Sequence, residues 1–444
     1  MLNHINLLRR LVSFSTVNNP VEGIQPSRKC PDFLLSELSK VGGEAQILEQ
    51  QGFFSVLATF GSGHPVSLLM AHFDVVPIGP GWKSDPFELT IEGNRGYGRG
   101  AADDKGNVAA LLMTAEAIAD QELPGTVVFA MTGDEEIGGA NGATLIRNTL
   151  EKQDLFPDYL VTADGVGMRI VTRRRNTIGI TISVPKQKAR VTGTLETQRF
   201  TTEYVQRQTR HSAYFLPGID RHALLAASGY LLQHPDIMIK RVQGSFVKSN
   251  VVPNWFETEG VNPSDPEADV AYLCDKNLSA LLRTLLPLSR VQFPTYGSDY
   301  GITLCPNLLY EHDKKWEVYF DGRAMATESK PIEEALKAVL VEKLNKIPFQ
   351  LTVRVGKGFM NTPADSKIVK IAKKIAIDLS LKSQPIELGG ASDTRHFLDR
   401  HVEAIDFGPL GFGVHGSNEF VLLDSIPQTA EFYTQLVNAL HLSR

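Results

Sequence analysis

Histidines and carboxylates recur in this sequence just after short apolar runs. Ala71-His72-Phe73-Asp74 follows the run at 66–70, Thr132-Gly133-Asp134-Glu135-Glu136 follows 126–131, and Ala163-Asp164-Gly165 follows 159–162. Two further polar stretches are G-R-G-A-A-D-D-K-G at 98–106 and Gly413-Val414-His415 near the end. In an extended chain, side chains two positions apart point the same way. His72 can therefore bind a cation while Asp74 holds its other ring N–H, as metal sites commonly arrange an imidazole. Adjacent carboxylates diverge, so of Glu135 and Glu136 one can bind a cation while the other faces a substrate. Each fragment alone has an ordinary use. A His-x-Asp suits a surface turn, a Glu-Glu pair a solvated face, and Asp103-Asp104 a cap on the following helix. Several strand ends carrying such groups together point to a metal site.

The elements that must position these groups are legible from periodicity. Apolar runs at 66–70, 126–131 and 159–162, with an Ala- and Leu-rich helix expected at 107–119, imply a mostly parallel central sheet flanked by helices. Such sheets gather ligands beyond the carboxyl ends of their strands. The style then changes. Ile178, Ile180, Ile182 and Val184 alternate with small or polar residues, the signature of a half-buried antiparallel strand. Helices are expected at 220–232 and at 331–347, the latter with Pro331 in its first turn. The stretch 260–306 gives no clear order. From about 358 the α/β style returns, with a helix at 366–379, a strand at 404–407 and a helix from Pro427. The expected division is a catalytic domain built from 1–168 and 358–444, with an α+β lid or dimerisation domain, 169–357, inserted into it. Arg173-Arg174-Arg175 reads as a solvated strand end or turn. His222, His312, His396 and His401 read as structural or surface residues.

The 444-residue length exceeds what one hydrophobic core usually serves, in keeping with two domains. A formal charge of -5 offers no electrostatic footprint for nucleic acid. Cys30, Cys274 and Cys305 are too few and too scattered for a disulfide framework or a zinc knuckle, which fits the cytoplasm. The first 17 residues place their charges inside the apolar run and read as an amphipathic helix rather than a signal peptide. No uninterrupted apolar run reaches about 18 residues, so no membrane span is expected.

The motifs M-A-H-F-D-V-V-P (70–77), G-R-G-A-A-D-D-K-G (98–106), T-G-D-E-E-I-G-G (132–139) and G-G-A-S-D-T-R (389–395) resemble one metallopeptidase superfamily. It contains aminoacylases, acetylornithine deacetylases, succinyl-diaminopimelate desuccinylases, carnosinases and glutamate carboxypeptidases. The resemblance covers nearly the whole chain. It implies two divalent cations, zinc first, with cobalt and manganese not separable by ligand type. His72 would hold one cation with Asp164, Glu136 and His415 the other, and Asp103 would bridge both. Glu135 would be the general base and Asp74 the carboxylate that orients His72. The Asp103–Asp104 peptide would be cis.

The lid matches more loosely. Arg210-His211-Ser212-Ala213, followed by Pro217-Gly218, resembles the segment whose histidine polarises the scissile carbonyl in a partner subunit's site. Asn250 resembles the asparagine that contacts substrate, and Arg323 the arginine that grips its carboxylate, where a bidentate guanidinium is suited. Ordinary roles exist for these as well: a loop histidine, a turn asparagine, a strand-edge arginine. The resemblance implies a homodimer formed through the lid and a small amide substrate, a dipeptide or an N-acyl amino acid. The alternative is a catalytically silent member used for binding or assembly. Against the family pattern, the lid is longer at 186–208 and 260–306, the loop before His415 carries Leu410–Val414, and Asp321-Gly322-Arg323 has glycine at its centre.

Overall fold

Val66–His72 and Gly125–Thr132 are buried along their whole lengths, as mostly apolar sequences require of strands covered on both faces. The computed structural model describes residues 2–19, 22–122, 124–165, 167–205, 211–263, 269–297 and 300–442. It resolves into two compact units, Met1–Arg174 with Met360–Arg444, and Arg175–Phe359.

In the first unit the α/β expectation holds. Its nine-stranded sheet runs Glu44–Gln50, Phe53–Ser62, Gly125–Thr132, Val66–His72, Tyr159–Thr162, Glu403–Asp406, Arg169–Arg174, Met360–Asn361, with Lys382–Leu388 also paired to Arg169–Arg174. The middle of the sheet, from Gly125–Thr132 to Glu403–Asp406, is parallel, while Glu44–Gln50 and Phe53–Ser62 close one side antiparallel. Alternation along each strand sorts side chains to the two faces. Val127, Phe129 and Met131 join the core under the helices His4–Val12, Lys105–Ile118, Lys367–Asp378 and Ser425–Leu442. Val128 and Ala130 join the opposite core, against Ala143, Ile146 and Leu150 of the helix Ala143–Lys152. A small antiparallel sheet, Thr90–Glu92, Arg95–Tyr97, Phe420–Leu422 and Gly411–Phe412, stands apart from the large one.

The second unit is α+β. Asn176–Pro185 lies between Lys315–Ala324 and Gln350–Val355 in a four-stranded antiparallel sheet, with Thr303–Glu311 at one edge. Ile178, Ile180, Ile182 and Val184 are its buried side chains, as the alternation requires. A three-stranded sheet and a two-stranded one complete the unit, with helices Ala223–Gln233, Lys276–Ser289 and Ser329–Leu344. The helix expected from 220 begins later, because Asp220 Oδ2 ties back to Leu216 N at 2.8 Å and His222 Nδ1 caps Leu224 N.

Within 260–306, unordered by sequence, lies the helix Lys276–Ser289. Asp275 caps it through the N–H groups of Asn277 and Leu278, and Leu278, Leu281, Leu282, Leu285 and Leu288 form its buried stripe. Pro287 lies inside its last turn.

The arginine run corrects another expectation. Arg174 and Arg175 are 5% and 0% exposed, so neither is solvated. Arg175 donates to Thr303 Oγ1 at 2.8 Å and to the Ala213 carbonyl. Arg174 donates through Nε to Asp406 Oδ2 at 2.6 Å and through Nη2 to the Asp164 carbonyl at 2.9 Å. Buried guanidinium groups of this kind are paired, because desolvating a lone charge is prohibitive. Arg174→Met should leave Asp406, which is 0% exposed, without its cation. The expected loss is about 3–5 kcal/mol, read as a lower denaturation midpoint in urea. An unchanged midpoint would mean that Asp406 is satisfied without Arg174.

Candidate metal centre

The strand order places the carboxyl ends of Val66–His72, Gly125–Thr132 and Tyr159–Thr162 side by side. His72 is the last residue of its strand, Glu135–Ile137 is a short helical turn three residues beyond the second, and Asp164 is two beyond the third. The small sheet brings the remaining two groups in. One of its strands, Arg95–Tyr97, leads into the loop bearing Asp103, and the connection between Gly411–Phe412 and Phe420–Leu422 bears His415. The two loops therefore approach although they are far apart in sequence.

Asp103 stands between the two imidazoles. Its Oδ1 is 3.0 Å from His72 Nε2 and its Oδ2 is 3.1 Å from His415 Nε2. His415 Nε2 is also 3.1 Å from Glu136 Oε2, and His72 Nε2 is 4.0 Å from Asp164 Oδ1. Two triads result, His72 with Asp103 and Asp164, and Asp103 with Glu136 and His415, each with its candidate ligand atoms within 4.8 Å of one another. Glu135 and Asp74 belong to neither triad. Asp74 is buried below them: its backbone carbonyl is 3.0 Å from His72 Nδ1, and its carboxylate accepts from the N–H groups of Glu135 and Glu136 and from Asn18 Nδ2. Glu135 Oε1 lies 3.6 Å from Arg395 Nη1. The Asp103–Asp104 peptide is cis.

Several further groups shape the centre, among them one that carries no obvious mark in the sequence. Glu419, buried, accepts from Ala102 N and Asp103 N through Oε1 and from Gly100 N and Arg99 Nη1 through Oε2, at 2.6–3.1 Å. Its position four residues after His415 is the only signal for it. Gly100 adopts φ +79, and a Cβ there would meet Val75 Cγ1 at 2.6 Å, so the turn requires glycine. Asp104 receives His72 N at 3.1 Å and Asn107 Nδ2 at 2.7 Å, and Asn107 Oδ1 is 2.9 Å from the Tyr433 hydroxyl on the last helix. Arg174 Nη2 stands 3.6 Å from Asp164 Oδ2. His415 holds φ +63, a left-handed conformation that costs an L side chain about 1–2 kcal/mol. Residues under such strain cluster at functional sites.

The electrostatics fit a cation. Burial opposes charge on the His72 ring, but the hydrogen bonds of Asp103 and Asp74 outweigh it and raise its pKa well above the usual value. Burial is likewise outweighed at His415, by Glu136 and Asp103. Burial pushes the Asp164 carboxyl up, against the pull of Arg174. Burial would raise Asp103 too, yet its two histidines hold it well below the carboxylate range. Glu136 Oε1 is buried with no hydrogen-bond partner among the described residues. Imidazole nitrogens and carboxylate oxygens are the donors that zinc and its neighbours take, and a divalent cation replaces the protons these rings otherwise attract. The residues present fit two such ions.

In the second unit, His211 and Asn250 come together, and Arg323 joins them through intermediates. Arg210, matched with His211 by sequence, lies outside the described residues. His211 Nδ1 accepts from Ala213 N at 3.0 Å, so a neutral ring carries its proton on Nε2. Nε2 is 3.2 Å from the Asn250 side-chain amide. The amide orientation consistent with that proton turns Oδ1 toward the ring. It also satisfies Oδ1, which otherwise has no partner among the described residues. Arg323 is buried and paired with Asp321.

The sequence matches the family described as Peptidase family M20/M25/M40 over residues 68–439. Succinyl-diaminopimelate desuccinylase of Aromatoleum aromaticum is 25% identical over 418 residues, 93% of this chain and 92% of the relative. Aminoacylhistidine dipeptidase from Vibrio alginolyticus superposes with a TM-score of 0.70 at 14% identity, over 98% of this chain and 96% of that one. A dinuclear metal-binding peptidase of the M20 family from Bacillus subtilis superposes with a TM-score of 0.52 at 16% identity, over 99% and 98%. At such identities the structural likeness speaks for the fold. The family match, spanning most of the length, carries the assignment: this chain belongs to peptidase family M20/M25/M40 and is a hydrolase of amide bonds.

Proposed function

We propose that this hydrolase cleaves the amide bond of a dipeptide or an N-acyl amino acid at a pair of divalent cations, with Glu135 moving the proton. One observation carries the reading: the two Asp103 oxygens face two different imidazoles, each in its own triad, while Glu135 stands outside both. His72 and Asp164 would hold one ion, Glu136 and His415 the other, and Asp103 both. Zinc is the proposed metal, with cobalt and manganese as alternatives that bind the same donors. When bound, such ions supply the Lewis acidity that makes water a nucleophile near neutral pH.

The chain's own residues do the rest. Glu135 accepts a proton from the attacking water as its oxygen bonds to the amide carbon, and gives that proton to the nitrogen as the C–N bond breaks, leaving a carboxylic acid and an amine. Burial raises the Glu135 carboxyl pKa, opposed by Arg395, which suits a group that must both take and give a proton. Asp74 orients His72 and braces the backbone under Glu135 and Glu136. His211 shares its Nε2 proton, held by Asn250 Oδ1 in the free enzyme, with the carbonyl oxygen, Asn250 contacts substrate, and Arg323 grips a carboxylate. We further propose a homodimer formed through the unit Arg175–Phe359. Three buried, unpaired cysteines suit a reducing compartment, and we place the enzyme in the cytoplasm on that ground. Among the described residues no helix is long and apolar enough to cross a membrane.

A panel of dipeptides and N-acyl amino acids tests the reaction, and Glu135→Gln tests the base. The variant should keep its metal and lose kcat by at least about 10²-fold. Metal lost in proportion to activity would exchange the roles of Glu135 and Glu136, and metal without turnover of any amide would sink the reading.

Acidity provides a second check. Because carboxylates raise both ring pKa values, protons compete with cations from a higher pH than they do at a free imidazole. Metal content and kcat/KM should fall together on acidification, the fall beginning above the pH of about 6.5 at which a free imidazole takes its proton. Full metal content with lost activity at low pH would assign the titration to Glu135 instead.

His211→Ala should lower kcat about 10²- to 10³-fold without metal loss. If His211 acts on its partner's site, mixing that variant with Glu135→Gln should recover activity toward half of wild type per mixed dimer. No recovery, with subunit exchange confirmed by mass, would mean that His211 acts within its own chain or not at all.

A further inference from the structure

His211, Asn250 and Arg323 lie on three separate segments of the unit Arg175–Phe359, and a single carboxylate connects them. Asp321 is 4% exposed. Its Oδ2 accepts from Arg323 Nε at 3.1 Å, lies 3.1 Å from Arg323 Nη2, and also receives the Ser212 hydroxyl in a short contact. Ser212 follows His211 directly, and its N–H donates to the Asn250 carbonyl at 3.0 Å. The next N–H, of Ala213, is the one that sets the His211 ring. Buried Arg175 braces the same turn from behind, donating to the Ala213 carbonyl and to Thr303 Oγ1, whose residue is the strand partner of Arg323.

A counter-ion for a buried arginine would explain part of this. It would not explain why the same oxygen also takes the hydroxyl next to His211. Nor would it explain why the guanidinium is approached side-on. The planar fork has two donor edges. Asp321 occupies the Nε edge, so a carboxylate arriving at Arg323 meets the Nη1–Nη2 edge.

We propose that Asp321 is a positioning residue that holds Arg323 and the His211 turn in one fixed relation through Ser212, so that carboxylate recognition and carbonyl polarisation are set together. The proposal rests on the assignment of His211 and Arg323 to substrate made above.

The test compares the dipeptide or N-acetyl amino acid of highest kcat/KM in the panel with its C-terminal amide, in the metal-loaded full-length enzyme. Asp321→Asn should raise KM for the free acid about 10-fold or more while changing that of the amide less than about twofold, with metal content unchanged. Ser212→Ala removes only the link and serves if Asp321→Asn does not fold. It should lower kcat about 10-fold for acid and amide alike, with Ser212→Thr restoring it, and should add less than about twofold in the His211→Ala background. Equal KM increases for acid and amide, or full multiplication of the Ser212→Ala and His211→Ala effects, would reduce Asp321 to a stabiliser of the fold and overturn the proposal. If His211→Ala and Arg323→Ala themselves leave the kinetics unchanged, the substrate assignment has failed and the positioning role falls with it.

Discussion

The buried Glu419 carboxylate gathers the N–H groups of Gly100, Ala102 and Asp103 and the Arg99 guanidinium around its two oxygens. Hydrogen bonds to a charged group contribute about 1.5–3 kcal/mol each; together with Arg99 they offset part of the cost of taking this carboxylate out of water, and burial still raises its pKa. The loop so held is the one that sets Asp103 between His72 and His415. Because Glu419 belongs to the connection that also bears His415, one group fixes both the shared carboxylate and the loop of the second imidazole. If that anchor moved, the two triads would separate.

A division of labour among acids follows. Asp103, Glu136 and Asp164 face the place where cations would sit. Asp74, Asp104, Asp406 and Glu419 lie behind them, each hydrogen-bonded to backbone N–H groups, an amide or an arginine. The groups behind are fully buried and paired, whereas Asp103 and Asp164 keep some exposure. Outer partners of this kind typically change metal affinity 10- to 100-fold when removed. Glu135 differs from both sets. Burial raises its carboxyl pKa, its side chain faces Arg395, and its backbone N–H is held by Asp74.

The second unit applies the same logic without a metal. His211, Asn250 and Arg323, the groups proposed to meet substrate, are held by backbone N–H groups, one hydroxyl and one carboxylate. Groups set in advance lose less freedom on binding, which is the general advantage of preorganisation.

Sequence alone determined the α/β character, the strands at 66–70, 126–131 and 159–162, and the groups that follow them, because strand ends in a parallel sheet leave a local signature of apolar residues giving way to polar ones. It also set Glu135 and Glu136 apart, since adjacent side chains diverge. Motif resemblance carried His415, which no local pattern marks. Tertiary structure decided the remainder. Arg174 and Arg175 looked solvated because three consecutive arginines are indistinguishable from a surface run until Asp406, Asp164 and the Ala213 carbonyl are brought to them by distant strands. Glu419 and Asp321 lie near residues the sequence singles out, His415 and Arg323, but what they do is decided where donors from other segments converge on them. Helix 276–289 lies in the stretch 260–306 that gave no clear order, and its leucine stripe takes its place against the core of the second unit. Periodicity reports which face of an element is buried, but the partner of a buried charge is chosen by folding, and that choice is made across sequence separations that no local pattern spans.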